Sequence, residues 1–330
     1  MNVESLLLGA VALENGRPRR VATDAMERWA ADTVQAARVP AGIRLGFTGD
    51  AQALEIDVET SSPLALATPL ANPDDQGEFT LYVDGERRGS FAVDADTRTT
   101  VRIPLPPRVE DARVEIHLPE MYEPRIHNIR AIGGSLRPLP RSTRWVAYGD
   151  SITQGWTSSD PGVAWTARAA RATGFDLVNL GFAGAARGEL PVAAHLAATV
   201  ADVITIAWGT NCWAQIEMDA PYIRELMRLF LRIVRAGHPE TPILVISPVL
   251  RPAAEHSRNG SGATLSDLRG AIEGAVGAFR RDNADAHLHM LGGRELIAVE
   301  QLDADGIHPD DAEHALIGAA VAAELTRIVG

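Results

Sequence analysis

The chain has 330 residues, of which 46% are hydrophobic and 22% charged, and its formal net charge is −12 with an isoelectric point near 5.2. This length and composition favour a globular protein of two domains with ample apolar material for its cores. The negative charge argues against nucleic acid as a partner, and the single cysteine, Cys212, excludes an intrachain disulfide.

The first residues of the chain are predicted to form a strand and a turn. The apolar run of residues 5–13 follows a segment that contains Glu4 and neither lysine nor arginine, whereas a secretory signal needs a basic segment at that place. No stretch of the sequence has the length and apolarity of a transmembrane helix. The sequence therefore predicts a cytoplasmic protein without a membrane partner.

Residues 1–135 are predicted to form an antiparallel, jelly-roll-like β-sandwich. Apolar and polar residues alternate over short segments, as is typical of strands buried on one face. These segments are residues 43–47, 53–58, 79–83, 100–105, 114–118 and 125–132. Asp84 and Gly85 give a strong hairpin signal after the third segment.

Two segments next to the predicted sandwich strands have other patterns. Residues 25–37 fit either a helix or a covering segment with little regular structure, because apolar residues recur there at helical spacing. Residues 136–141 contain two prolines and are predicted to be the linker between the domains.

Residues 142–330 are predicted to form a three-layer α/β/α domain. Continuous apolar runs, which are typical of buried parallel strands, occur at residues 145–148, 177–180, 203–208, 243–246 and 288–291. Helical patterns occur at residues 164–173, 190–200, 222–235, 265–282 and 311–329. Strands that alternate with helices predict a parallel sheet covered on both faces.

Polar residues follow several of these strands, at the edge where open parallel sheets bind ligands. The motifs are Gly149-Asp150-Ser151 after the first strand, Asn179 to Gly184 after the second, Gly209-Thr210-Asn211 after the third, and Asp305 with His308 before the last helix. A serine at a strand-to-helix turn presents its hydroxyl at this edge, near backbone N–H groups that favour negative charge.

These four motifs, in this order, resemble the four sequence blocks of the SGNH, or GDSL-type, hydrolases, and the resemblance spans residues 144–330. It implies that Ser151 is the nucleophile and that Asp305 and His308 complete a catalytic triad. It also implies an oxyanion hole made by the backbone N–H groups of Ser151 and Gly184 and by the side-chain amide of Asn211. No metal and no organic cofactor is expected for such an enzyme.

The triad has local alternatives. Ser151 on its own fits a helix N-cap, and Asp303 competes with Asp305, which is preferred because the family spacing to His308 is three residues. Metal binding at His287 and His289 is disfavoured, since neither a cysteine nor a third ligand lies nearby.

Three further residues are predicted to line the substrate pocket: Cys212, Trp213 and Ile307. Cys212 stands where many members of the family carry aspartate, and Ala183 stands where the family often has serine. Neither position is catalytic in the family, so the implied reaction class is unchanged. Cys212 itself is expected to be a small pocket-wall residue rather than a nucleophile, because no partner pattern accompanies it.

The N-terminal half resembles the leading β-sandwich of family 2 carbohydrate esterases and of related bacterial GDSL-like acylhydrolases. The resemblance implies a serine esterase that cleaves a small-molecule or carbohydrate ester, with a short acyl group such as acetyl. Acyl transfer by the same triad, and carbohydrate binding by an inactive hydrolase domain, stay open as alternatives. Two roles for a sandwich edge also stay open, a contact between the subunits of a homo-oligomer or a cover over the active site.

Overall fold

The computed structural model describes residues 2–61, 77–107, 111–297 and 305–330. In chain order, the N-terminal half contains β1 (Leu7–Leu8), β2 (Ala12–Glu14), β3 (Arg17–Arg19), α1 (Ala31–Arg38), β4 (Arg44–Thr48), β5 (Ala53–Glu59), β6 (Glu78–Val83), β7 (Glu86–Ala92), β8 (Arg98–Pro104), β9 (Val114–His117), β10 (Arg125–Ile132) and β11 (Arg137–Pro138). Single 3₁₀ turns are found at Val3–Leu6 and Thr23–Met26.

Most of these strands form two antiparallel sheets that face each other. One sheet has the order β1-β4-β9-β6-β7, with β11 also paired to β4, and the other has the order β10-β5-β8. Strand β5 shows why the sequence alternates, since Leu54, Ile56 and Val58 are all fully buried in the sandwich core. The acidic residues between them face outward and pair with arginines of the neighbouring strands. The predicted β-sandwich is therefore confirmed.

The C-terminal half alternates strands and helices, as predicted. Its elements are β12 (Arg144–Gly149), α2 (Ser151–Gln154), α3 (Trp165–Thr173), β13 (Asp176–Gly181), α4 (Leu190–Ala198), β14 (Val203–Ala207), α5 (Asn211–Ala214), α6 (Ala220–Gly237), β15 (Ile243–Ile246), α7 (Pro252–Glu255), α8 (Leu265–Asp282), β16 (Leu288–Leu291) and α9 (Asp311–Val329). None of the helices in the described part of the chain is long and apolar enough to cross a bilayer.

The five strands β12 to β16 form one parallel sheet with helices on both faces. The strand order is β13-β12-β14-β15-β16, and every neighbouring pair is parallel. Trp145 and Ala147 of β12 pack with α3 and α9 on one face, while Val146 and Tyr148 pack with α4, α6 and α8 on the other. The chain reverses its direction of travel across the sheet at β12, and open sheets bind ligands at such a switch point.

The boundary between the two halves differs in detail from the predicted one. Arg137 and Pro138, which fall in the predicted linker, pair with β4 and so extend the sandwich sheet. Buried side chains from the segment between β1 and β4, among them Val21, Met26 and Ala36, belong to the core around the parallel sheet. Both expectations for residues 25–37 hold in part, because α1 is short and is preceded by a 3₁₀ turn.

Candidate active site

Three side chains from opposite ends of the α/β domain form a chain of hydrogen bonds. The Oγ atom of Ser151 lies 2.8 Å from Nε2 of His308, and Nδ1 of His308 lies 2.5 Å from Oδ2 of Asp305. A neutral imidazole with its proton on Nδ1 donates to the carboxylate and accepts from the serine hydroxyl. The arrangement is that of a nucleophile, its base and the group that orients the base.

The sequence places Ser151 by ending a buried strand with a sharp turn. Strand β12 ends at Gly149, and Asp150 caps helix α2, because its carboxylate accepts the backbone N–H of Ile152 at 3.1 Å. The cap residue is therefore Asp150, and Ser151 is the first residue of the helix. Ser151 is 9% exposed. Its hydroxyl is accordingly fixed at the end of the sheet with little access to bulk water.

The carboxyl group of Asp150 adjoins Ser151 in the chain but takes no part in the hydrogen bonds that join Ser151, His308 and Asp305. It is almost completely buried, and this burial raises its pKa to about 6 despite the backbone N–H groups that favour the charged form. A carboxylate held in this way shapes the turn at a cost in stability.

Asp305 and His308 come from the turn that precedes α9. Oδ1 of Asp305 accepts the backbone N–H groups of Ile307 and His308, at 2.8 and 3.0 Å. Burial by itself raises the pKa of Asp305, but the hydrogen bonds from His308 and Ile307 outweigh it and hold the pKa below its usual range. The carboxylate is thus charged and oriented towards the imidazole. The competing candidate, Asp303, lies outside the described residues.

The loop after β13 carries the first candidate oxyanion donor. Gly184 has a φ of +71° and open space where a side chain would lie, and this left-handed conformation favours glycine at the position. Gln154 holds this loop in place, because its side-chain oxygen accepts the N–H of Ala183 at 2.9 Å. Asn179 is fully buried, and its amide donates to the carbonyl of Thr153 at 3.0 Å. The sequence did not identify Gln154 as a residue of the site, because a glutamine inside a helical turn has no distinctive pattern around it.

Asn211 begins the short helix α5 after strand β14. Its side-chain nitrogen donates one N–H to the carbonyl oxygen of Ala185. An amide carries two N–H groups, so this contact orients the second one rather than using the whole donor. The contact joins the loop of Gly184 to the end of β14, and it brings the two regions expected to bind an oxyanion together.

The three predicted pocket residues have different environments. Cys212 is fully buried in the apolar core, which corrects its assignment to the pocket wall. The reason is local, since α5 starts at Asn211 and turns the next side chain inward. Burial raises the pKa of the Cys212 thiol far above its usual range, so a thiolate is disfavoured there. Trp213 and Ile307 are partly exposed.

Arg251 lies next to Trp213, and the sequence reading did not single it out. The guanidinium carbon is 5.0 Å from the centroid of the Trp213 ring. The sequence does contain a pattern that indicates it: Arg251 is the first charged residue after β15 and so lies beyond the carboxyl end of a parallel strand, where such sheets bind ligands. Among the described residues there is no group of three histidine, cysteine or acidic side chains that could hold a metal ion.

Comparisons with known proteins identify the family and the fold. The model of the GDSL-like lipase/acylhydrolase family matches residues 142–324. The salicylyl-acyltransferase SsfX3 from a tetracycline biosynthetic pathway is 26% identical, with a TM-score of 0.84 over 97% of this chain and 94% of that chain. A protein from Bacteroides ovatus ATCC 8483, described as a GDSL-like lipase, is 23% identical, with a TM-score of 0.81 over 98% and 95%.

A family two carbohydrate esterase from Clostridium thermocellum has the same fold. It is 18% identical, and its TM-score is 0.62 over 86% of this chain and 91% of that chain. No match was found among curated proteins. The likeness to SsfX3 and to the esterase extends through both halves of the chain, so the sandwich followed by an α/β domain is a shared architecture.

Proposed function

Because the chain belongs to the GDSL-like lipase/acylhydrolase family, we propose that it is a serine esterase that uses Ser151, His308 and Asp305. The observation that carries the proposal is the continuous hydrogen-bonded chain from the Ser151 hydroxyl through His308 to Asp305. A serine hydroxyl is a weak nucleophile until a base takes its proton, and this geometry supplies such a base.

In the first half of the reaction, Oγ of Ser151 attacks the ester carbonyl while its proton moves to Nε2 of His308. The carbonyl electron pair moves onto the oxygen, where the N–H groups of Ser151, Gly184 and Asn211 stabilise the charge. One such donor is typically worth about 3 to 4 kcal/mol in the transition state. The tetrahedral intermediate then collapses, the alcohol leaves with the proton from His308, and an acyl-enzyme remains.

In the second half, water replaces the alcohol. Nε2 of His308 takes a proton from the water as its oxygen bonds to the acyl carbon, and the same donors hold the second oxyanion. The Ser151–acyl bond breaks as the proton returns to Oγ, and the carboxylic acid departs. Asp305 keeps the imidazole in the required tautomer and stabilises its charged form in both halves. No metal or organic cofactor takes part in these steps.

For the substrate we propose a small-molecule or carbohydrate ester with a short acyl group, such as acetyl. The support is the shared two-domain architecture with a family two carbohydrate esterase, which is an argument from fold. Acyl transfer is the second candidate, and the likeness to a salicylyl-acyltransferase along almost the whole chain favours it. In that reaction an acceptor hydroxyl takes the place of water in the second half.

The test is hydrolysis of p-nitrophenyl esters of increasing acyl length by the full chain. The wild type is expected to cleave the acetyl ester fastest, and Ser151→Ala and His308→Ala should each lower kcat by about 10⁴-fold or more. Ser266→Ala and His287→Ala serve as matched controls, because both side chains are exposed. Activity that survives Ser151→Ala would refute the proposed nucleophile.

The same assay separates the two candidate functions. A sugar alcohol is added as acceptor at rising concentration, and the products are analysed by mass spectrometry. Free acid as the main product supports hydrolysis, whereas an acylated acceptor that outweighs the free acid supports acyl transfer. A folded wild type that binds a carbohydrate but cleaves no ester would point instead to a binding protein with an inactive hydrolase domain.

A further inference from the structure

Arg251 and Trp213 form a fixed pair at the carboxyl edge of the parallel sheet. Arg251 follows β15, Trp213 lies in α5 after β14, and the guanidinium carbon is 5.0 Å from the ring centroid. The indole N–H of Trp213 donates to the carbonyl of Ser257 at 2.9 Å, which fixes the ring. A guanidinium on an aromatic face keeps its N–H edge free for hydrogen bonds.

The backbone that carries Arg251 is also fixed. The carboxylate of Glu255 accepts two hydrogen bonds from the Arg269 guanidinium, at 2.6 and 2.9 Å. It also accepts the backbone N–H of Arg251 at 3.2 Å. Arg269 and Glu255 are both buried, and Arg269 donates as well to the carbonyl of Pro248 at 2.7 Å. A buried, fully satisfied ion pair thus holds the loop in one conformation.

The charge of Arg251 itself has no comparable partner among the described residues. No carboxylate there lies within ion-pair distance of its guanidinium, and its Nε atom is buried without a hydrogen bond. By contrast, the buried guanidinium groups of Arg44 and Arg187 each meet a carboxylate. The partly exposed guanidinium therefore has a charge without a carboxylate partner, and a ligand that accepts from its terminal N–H groups would supply one.

Arg251 also lies within electrostatic range of the catalytic chain. Burial lowers the pKa of Arg251, and the carboxylate of Asp305 acts in the opposite direction, which indicates a partly desolvated cation near the triad. Trp213 is two residues after Asn211, the candidate oxyanion donor. The pair therefore lies beside the place where an ester would react.

We propose that Arg251, supported by Trp213, is a specificity-determining residue that binds a carboxylate on the ester substrate. The inference rests on the proposed esterase function and narrows its substrate class to esters that carry a carboxylate. A planar guanidinium matches a carboxylate with two parallel hydrogen bonds, and a partly desolvated site strengthens the attraction.

The test compares esters that differ only by a carboxylate or its neutral amide. On the alcohol side, 4-carboxyphenyl acetate is paired with 4-carbamoylphenyl acetate. On the acyl side, the p-nitrophenyl half-ester of adipic acid is paired with the corresponding primary amide. Adipic acid is chosen because its six-carbon chain limits intramolecular attack of the carboxylate on the ester. In at least one pair, the wild type is expected to show a kcat/KM about tenfold to a hundredfold higher for the carboxylate.

Arg251→Gln should bring this ratio close to one, and Arg251→Lys should give an intermediate ratio, because lysine keeps the charge without the fork. Arg258→Gln is the matched control, since Arg258 is exposed on the same loop region and should leave the ratio unchanged. A wild-type ratio near one in both pairs would overturn the proposal. A ratio that Arg251→Gln leaves unchanged would also overturn it, and this includes the case in which the variant lowers kcat/KM equally for the carboxylate and the amide.

A binding measurement keeps this inference separate from the proposed reaction. Calorimetry on Ser151→Ala should show tighter binding of the carboxylate ester than of its amide, and the difference should vanish in the double variant with Arg251→Gln. If the wild type shows no turnover but this difference in binding is present, the esterase proposal is refuted and the anion subsite is retained. Turnover in the wild type with no difference in binding would refute the subsite alone.

Discussion

The buried carboxyl of Asp150 should make the stability of the protein depend on pH in a specific way. Burial raises its pKa from 3.8 to about 6 in the folded chain. Between those two pH values the folded protein keeps a proton on Asp150 that the unfolded chain has lost. Stability therefore falls as the pH rises through this range, and the full penalty is present above pH 6.

The size of the effect follows from the same two values. A difference of about 2 pH units corresponds to about 3 kcal/mol of unfolding free energy, at about 1.4 kcal/mol per unit. Asparagine in place of Asp150 keeps an oxygen that can accept the N–H of Ile152, but it carries no charge at any pH. The Asp150→Asn variant should consequently lack this penalty.

The assay is urea denaturation of wild type and Asp150→Asn at pH 4 and at pH 7.5. The variant should gain about 2 to 3 kcal/mol relative to wild type between the two pH values. Asp219→Asn is the control, because Asp219 caps helix α6 in the same manner but is exposed. A stability difference between Asp150→Asn and wild type that is the same at both pH values would show that burial of this carboxyl is not a pH-dependent cost.

Two further predictions concern the frame that supports the site. Gly181→Ala should cost about 3 kcal/mol of unfolding free energy, because its Cβ would lie 2.1 Å from the backbone nitrogen of Gln154. Urea denaturation measures this loss. The control is Gly274→Ala in α8, where a Cβ has open space, and this variant should be neutral or slightly stabilising. Arg20→Met should lower the unfolding free energy by about 4 kcal/mol or more and should also lower kcat for the acetyl ester. The reason is that Arg20 is fully buried and donates to four backbone carbonyls, two of them at the end of β13. Thermal unfolding and the ester assay check it, with exposed Arg28→Met as control, and unchanged stability would refute the structural role of Arg20.

Those features that depend on local pattern could be predicted from the sequence. Strand β5 alternates because one face of its sheet packs in the sandwich core, and this alternation is visible in the order of residues alone. The runs that form β12 to β15 are continuously apolar because both faces of the parallel sheet are covered. The four motifs follow these strands or precede α9, so their convergence at one edge follows from the fold class.

Features that depend on which surfaces meet could not be predicted. Val21 and Met26 lie in sequence between two sandwich strands, β1 and β4, but pack against the parallel sheet, and an apolar pattern does not identify the core it joins. The inward orientation of Cys212 depends on the phase of a four-residue helix, which is too short to show a period. The sequence does not show that Arg251 packs on Trp213, because Trp213 lies in α5, after the neighbouring strand β14.

Contacts between the two halves indicate that the sandwich is part of the framework of the site rather than a tethered module. Asp160, in the segment after α2, is buried and accepts hydrogen bonds from the hydroxyl of Tyr82 at 2.9 Å and from the guanidinium of Arg87 at 2.9 Å. Both partners belong to the sandwich hairpin of β6 and β7. Without them a buried carboxylate would lose two of its hydrogen bonds, at a cost of several kcal/mol.

Arg20 makes the second connection, to strand β13. Its guanidinium donates to the carbonyls of Asn179 and Gly181 and also to that of Val39, so the segment between β1 and β4 is bonded to the strand that leads into the Gly184 loop. A donor loop holds an oxyanion only if it is rigid before the substrate arrives. For the proposed esterase we therefore expect the N-terminal half to contribute through the rigidity of that loop, although Ser151, Asp305 and His308 all lie in the other half.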